Sequence, residues 1–283
     1  MFKKFEPHDR LKDYILFYFE IDWKKSVSGD IIKYLCIPTG CSFMGFQKKG
    51  RMKVQMDDSI YNTEKYYVNA QTTVPYFMCS DDPCLNVMVA CLKPTALHHL
   101  FKLDVSKIVD SGANPKKLLK GLDAHTENRL MNSNATDSIK ILDEIFLKQL
   151  KNATVNFNFV DVAIRLILES QGTISIGELA TKLKVSIRYF QKKFKEIVGI
   201  PPSLYIKIIR YNFIFTTLNK TDSNDCKTPT ALFNFYDSAH YSNSFKKYLG
   251  VSPSEFDPEV FPFVKLTSIE QAVWITPFQY LLA

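Results

Sequence analysis

Two stretches in the C-terminal half concentrate the side chains able to do chemistry, and both offer positive charge and hydrogen-bond donors. Between residues 186 and 210 stand Arg188, Lys192, Lys193, Lys195, Lys207 and Arg210 against Glu196 alone. Arg188, Lys192 and Lys195 recur at helical spacing opposite an apolar stripe of Ile187, Phe190, Phe194, Ile197 and Val198. The second stretch repeats this division: Tyr241, Phe245, Tyr248 and Leu249 form a stripe, Ala239, Asn243, Lys246 and Lys247 face away, and His240 lies near the edge. Cations gathered on one helix face suit phosphate oxygens. A solvated face would account for either run alone; the repetition favours a polyanionic partner.

Other chemistry finds no footing. No phosphate-cradling loop, zinc-protease motif or nucleophile elbow is present, so neither an enzyme nor a cofactor is expected. Asp81-Asp82 lies in the turn cluster Ser80 to Pro83 and reads as a turn rather than an acid/base pair. His98 and His99 are adjacent, so on a helix they point about 100° apart, and no partner follows at i+4; no metal site is expected. Cys36, Cys41, Cys79, Cys84, Cys91 and Cys226 fit neither a Cys-x-x-Cys pair nor a secreted framework and read as buried reduced thiols. Met1 to Lys4 leads into no signal-like apolar core, and the run Tyr14 to Phe19 is too short to span a bilayer. A cytoplasmic protein that does not enter membranes is the expectation.

The elements that carry the two basic faces are written twice. Ser186 to Tyr205 recurs in register as Asp237 to Phe256, with Phe-Lys, Gly, Pro-Ser and a closing aromatic aligned. Ser186 and Asp237 read as N-caps, Gly199 and Gly250 as C-terminal stops. Ahead of the first copy, Ile174 to Val185 reads as a short helix and a tight turn, completing a helix-turn-helix whose second helix can enter a DNA major groove. Pro202 to Asn219 reads as a helix joining the two units, with Leu204, Ile208, Tyr211, Phe215 and Leu218 at heptad-like spacing.

Glu178-Leu179-Ala180, Ser186, Tyr189-Phe190, Phe194-Lys195, Gly199, Tyr205, Arg210, Ser244 to Tyr248 and Gly250 to Phe256 resemble the DNA-binding domain of AraC/XylS transcription regulators. The resemblance covers about residues 157–256. It implies double-stranded DNA as partner, two recognition helices set about one DNA turn apart by the joining helix, and contact with RNA polymerase. It places Arg188, Gln191 and Lys192 where base-reading side chains lie, with Ser238, His240 and Asn243 corresponding in the second unit. Arginine can donate two hydrogen bonds to guanine and glutamine can pair with adenine, while Lys195, Lys246 and Lys247 suit the backbone. Two departures affect the second unit: Pro229 confines its first helix to barely one turn capped by Thr228, and Asn234-Phe235 stands where the family has Gly-Phe.

The 283 residues, 46% apolar and carrying a net charge of +7, allow two domains. Strand-like runs at Leu11 to Asp22, Ile31 to Ile37, Ser42 to Phe46, Met52 to Gln55, Tyr66 to Val68, Thr73 to Met78 and Leu85 to Leu92 predict a small β-barrel or sandwich. Helices are expected at Thr95 to Lys102, Pro115 to Gly121, His125 to Leu130, Thr136 to Leu150 and Phe159 to Ser170, with the linker at Lys151 to Phe157. The fold class is thus α+β: a cupin-like barrel or sandwich with helices (1–152), an all-α domain of two helix-turn-helix units on a long helix (157–256), and an apolar extension (257–283). A barrel followed by helices is the layout of AraC-type sensing domains, which implies a small-molecule effector or a homodimer. Ile37 to Gly40, Asn69 to Thr72 and Ala90 to Pro94 also resemble an uncharacterised domain attached to some such regulators.

Tyr14, Phe17, Tyr18, Phe19, Tyr34, Phe43 and Tyr76 could line an effector pocket or be plain core. Phe213, Ile214 and Phe215 stand where the family has charged or small residues, and the extension reads either as a cover for that apolar surface or as a contact with a second subunit. The leading expectation is a sequence-specific regulator. The alternative is an interaction protein on the same fold, its second unit degenerate and its DNA binding weak or lost.

Overall fold

Side chains alternate across a strand, so a strand apolar at every position must be covered on both faces. Strand β2 (Ile15–Lys24) is of this kind over Ile15 to Phe19, and the first half of the chain is built around it. In the computed structural model, which describes residues 2–24, 32–56, 58–110, 113–153, 157–218, 233, 236–249 and 252–255, β2 lies between β1 (Phe2–Phe5) and β9 (Cys84–Leu92). With β4 (Ser42–Lys49) and β7 (Tyr66–Asn69) they form one sheet, ordered β1-β2-β9-β4-β7. A second sheet has the order β3-β8-β5-β6, from β3 (Ile32–Cys36), β5 (Lys53–Met56), β6 (Ser59–Asn62) and β8 (Tyr76–Ser80). All pairings are antiparallel, and the pair of sheets is the small sandwich the strand spacing predicts.

The departures are local and have physical causes. The strand expected from Leu11 starts only at Ile15, because Asp9–Leu11 winds a 3-10 turn capped by His8, whose Nδ1 accepts from the Arg10 amide at 3.2 Å. β8 starts at Tyr76 rather than Thr73, since Pro75 lacks the amide a ladder needs. β1 and β6 give little apolar signal: β1 is an edge strand carrying two lysines, and β6 is exposed along its whole length.

Alternation along β2 and β9 feeds two cores. Phe17, Phe19, Ile21, Leu85, Val87, Val89 and Cys91 face one, and Tyr18, Met88, Ala90 and Leu92 face the other. The second core is closed by α1 (Ala96–Phe101), α3 (Ala124–Asn132) and α4 (Ala135–Asn152), with the short α2 (Pro115–Leu118) at its rim. The first core does not end at the sandwich. It continues through Val160, Ile164 and Ile167 of α5 (Phe159–Glu169), Leu179 of α6 (Ile176–Lys182), Phe190 and Phe194 of α7 (Ile187–Val198), and Tyr205 to Phe215 of α8 (Pro202–Leu218) to Tyr241, Phe245 and Tyr248 of α9 (Ser238–Leu249). The two halves therefore share a core. Of the expected linker, Lys151 and Asn152 are the last turn of α4, residues 154–156 lie outside the described residues, and Phe157 stacks on Tyr14 at 6.2 Å. Cys36, Cys41, Cys79 and Cys91 are buried thiols and Cys84 is partly covered, while Cys226, Gly250, Pro229 and the 257–283 extension lie outside the described residues.

Candidate nucleic-acid interface

The first unit is fixed at each end by its own sequence. Ser175 Oγ accepts from Glu178 N at 3.2 Å while Glu178 Oε2 accepts from Ser175 N at 2.8 Å, a reciprocal cap that starts α6. The helix stops because Lys184 takes a left-handed conformation (φ 53°) and two amides turn back: Lys184 N to Thr181 O and Val185 N to Ala180 O, both at 3.1 Å. Ser186 then caps α7, accepting from Tyr189 N at 3.3 Å. At the far end, Gly199 (φ 102°) lets α7 close against the first half: a Cβ there would lie 2.9 Å from Val109 Cγ2 and 3.1 Å from Val105 Cγ1.

Burial of Phe190, Phe194, Ile197 and Val198 turns the opposite face of α7 outward. Arg188, Gln191, Lys192 and Lys195, spaced i, i+3, i+4 and i+7, are all exposed. None of the four makes a side-chain hydrogen bond or ion pair with any of the described residues. The rest of the basic run is engaged elsewhere. Lys193 pairs with Glu196 at 2.8 Å, which raises the lysine's pKa. Arg210 is half-buried with Nε donating to Gly172 O at 2.8 Å, and burial draws its pKa down. Lys207 lies over the Tyr211 ring at 5.8 Å. Ile187, expected in the buried stripe, is instead 49% exposed. As the first residue of α7 it projects past the edge of the core that the later turns reach.

The second unit presents a comparable face with less of its frame described. Asp237 accepts from His240 N at 2.6 Å and caps α9; Tyr241, Phe245 and Tyr248 are buried, while Ser238, Ala239, His240, Asn243 and Lys246 are exposed. The Lys247 side chain and the positions Thr228, Asn234 and Phe235 lie outside the described residues. α9 is clamped to α8 by stacking of Tyr248 on Tyr211 (4.3 Å, 9°), by Tyr211 Oη donating to Ser244 Oγ at 2.6 Å, and by the Phe215–Phe245 contact at 5.6 Å. The 17 residues of α8 span about 26 Å.

Phe213, Ile214 and Phe215 are buried in the shared core, which explains large apolar residues at positions where the resemblance leads one to expect charged or small ones. Sequence reasoning missed the polar groups along this seam. Asn212 Nδ2 donates to Thr39 O at 3.2 Å, and Tyr248 Oη donates to Pro38 O at 3.0 Å. Asp161, on α5, accepts from Thr95 Oγ1 at 2.8 Å, from His99 Nε2 at 3.0 Å and from Asn158 N at 2.8 Å. Burial works against its ionisation, but the His99, Asn158 and Thr95 hydrogen bonds outweigh it and hold the carboxyl below its usual range. An amide within an apolar helix run, as at Asn212, was the one available signal. His99 thus serves the seam, and no group of three possible metal ligands comes together among the described residues.

A cavity of about 610 Å³ opens in the first half, lined by Tyr61, Tyr66, Tyr67 and Tyr76 among others. Of the seven aromatics proposed for a pocket, Tyr76 alone belongs to its lining. Tyr14, Phe17, Tyr18 and Phe19 are core, and Tyr34 and Phe43 pack against it, as the strongly apolar β2 requires.

A short capped helix, a left-handed turn and an amphipathic helix with exposed cations define a helix-turn-helix protein. Residues 179–258 match the helix-turn-helix domain family of the AraC type, and residues 3–114 match a domain family of unknown function, DUF6597. The C-terminal region thus carries a helix-turn-helix domain of the AraC type. No curated protein matches it. Among solved structures, ToxT from Vibrio cholerae is 14% identical, over 84% of this chain and 96% of that one, with a TM-score of 0.45. ToxT bound to an unsaturated fatty acid is 15% identical over 84% and 93%, at 0.42. The AraC-like transcriptional activator CuxR is 13% identical over 76% and 86%, at 0.24. No helix among the described residues is long and apolar enough to cross a membrane.

Proposed function

We propose that the chain binds double-stranded DNA in a sequence-dependent manner through α7 and α9, and that its first half answers to a small-molecule effector. The observation that carries the DNA reading is the stripe of Arg188, Gln191, Lys192 and Lys195, exposed together on a helix whose other face is core. Arg188, Gln191 and Lys192 read base edges in the major groove; Lys195, Lys246 and Lys247 neutralise phosphates. Ser238, His240 and Asn243 take the corresponding places in the second groove. Support for the effector reading is the tyrosine-lined cavity within the sandwich. Pairing with a second copy and contact with RNA polymerase belong to the same proposal and rest on the family resemblance. Selection of bound duplexes from a random pool, followed by mobility shift of the winners against scrambled duplexes, tests it. Enrichment of one motif is expected. A protein that retards no duplex at low salt would leave the alternative, an interaction protein on an AraC-like frame.

A further inference from the structure

The cavity in the first half has a lining of one electrostatic character. Its described lining residues include no lysine, arginine or histidine, while Glu64 and Asp110 supply carboxylates and the remaining polar groups are neutral. Asp110 is held by Thr73, accepting from its amide at 2.9 Å and its hydroxyl at 2.8 Å. Tyr67 and Tyr76 are partly covered, and desolvation of their phenols raises their pKa, so both stay protonated. An anion entering this space would meet carboxylates and no cationic side chain among the described lining residues; the ammonium groups of Lys65 and Lys116, over the Tyr66 ring, are already paired with Glu127. Gln71, also in the lining, is 1% exposed; its Nε2 donates to Gly40 O at 3.1 Å, and its Oε1 has no partner among the described residues. A buried amide oxygen left without a donor is costly, and a ligand N–H or O–H would satisfy it.

The bond from Gln71 also leads out of the cavity. Pro38, Thr39 and Gly40 present three consecutive carbonyls. Gln71 takes that of Gly40, Asn212 of α8 takes that of Thr39, and Tyr248 of α9 takes that of Pro38. Gly40 itself (φ 80°) is pressed against α8: a Cβ there would lie 3.0 Å from Ile209 Cδ1 and 3.1 Å from a Tyr205 ring carbon. One short turn is thus gripped from one side by the cavity wall and from the other by the helices that carry the recognition face.

We infer that the cavity is a site for a small, non-anionic ring compound that donates a hydrogen bond to Gln71 Oε1, and that occupancy is felt at α8 and α9 through the Pro38–Gly40 turn. This rests on the reading that the first half answers to an effector. It is independent of whether the chain binds DNA. Three molecules of nearly the same shape separate the chemistries: benzamide, neutral with an N–H donor; benzamidinium, cationic with donors; and benzoate, anionic without one. Ligand-observed NMR on the full chain at pH 7 measures binding of each, and hydrogen exchange of residues 205–215 reports the seam.

Benzamide or benzamidinium should bind at least roughly tenfold more tightly than benzoate and should change exchange along α8. Gln71→Met, close in shape but without the amide, should bind the preferred probe roughly tenfold more weakly and lose the α8 response. Because that variant could misfold, Asn212→Ala provides a second arm: it keeps the cavity intact, so probe affinity should stay as in the wild type while the exchange response falls. Benzoate binding as well as the other two, or no binding by any of the three at millimolar concentration, would overturn the site. Probe binding that leaves α8 exchange unchanged would overturn the route.

Discussion

Asp161→Asn isolates the hydrogen-bonded staple between the two halves of the chain. The carboxylate accepts from the Thr95 hydroxyl, the His99 ring and the Asn158 amide at 2.8 to 3.1 Å, and His99 is 4% exposed. An asparagine of the same shape keeps one acceptor oxygen and replaces the other with a donor facing donors. Hydrogen bonds to a charged partner are worth about 1.5–3 kcal/mol, and part of one survives, so a loss of about 2 kcal/mol is expected. At an unfolding entropy of about 2.1 cal/mol/K per residue, this is a fall in Tm of roughly 3 °C. The pH dependence has a definite sign. Because the folded carboxyl titrates below its ordinary value of 3.8, its stabilisation is complete above that value and is lost as pH falls through the lower folded pKa. Differential scanning calorimetry between pH 3 and pH 7 should show the wild-type advantage at neutral pH shrinking towards acid. Equal midpoints for the two proteins across that range would refute the staple.

Other perturbations test separate parts of the account. Gly199→Ala places a Cβ 2.9 Å from Val109 and a side chain at φ 102°, so urea unfolding should show destabilisation of about 2 kcal/mol or more. Lys184→Gly removes a left-handed lysine (φ 53°) from the helix-turn-helix turn and should stabilise by a few tenths to about 1 kcal/mol in the same assay. Glu127, held down to about 2 by Lys116 and Tyr66, contributes stability present at neutral pH and lost as pH falls from its usual 4.5 towards 2. In Glu127→Gln that part of the acid limb should be absent from an unfolding series. Arg188→Ala should weaken binding of a selected duplex by about 1–3 kcal/mol and relax its sequence preference. Lys195→Ala should weaken all duplexes alike and reduce the salt slope by about 1.

The helical half was legible because its signals are local. Ser175, Ser186 and Asp237 cap where their types suggest, and the stripe from Phe190 to Val198 has a single reading at helical period. Most strands were legible for the same reason, since turns and alternation lie within a few residues of each other. What could not be read depends on what a segment packs against. β6 is a strand only because β5 offers it an edge, and Ser59–Asn62 bury nothing that would mark it. Likewise Phe213 to Phe215 looked anomalous because the surface that buries them comes from elsewhere in the chain. The aromatics of β2 signalled burial without saying whether the neighbour was protein or ligand. The pocket fell instead to Tyr61, Tyr66 and Tyr67, whose short strands carry weaker patterns. Of the basic run, sequence counted six cations, and packing left Arg188, Lys192 and Lys195 as the outward set.

The central claim is that the outward faces of α7 and α9 meet one duplex. The most direct test is the affinity of the full chain for a selected duplex measured across salt concentration. With three lysine–phosphate contacts, from Lys195, Lys246 and Lys247, log K should fall against log salt with a slope of about −2.7, roughly a fortyfold loss between 50 and 200 mM. A slope near zero, or no measurable affinity at 50 mM, would contradict it.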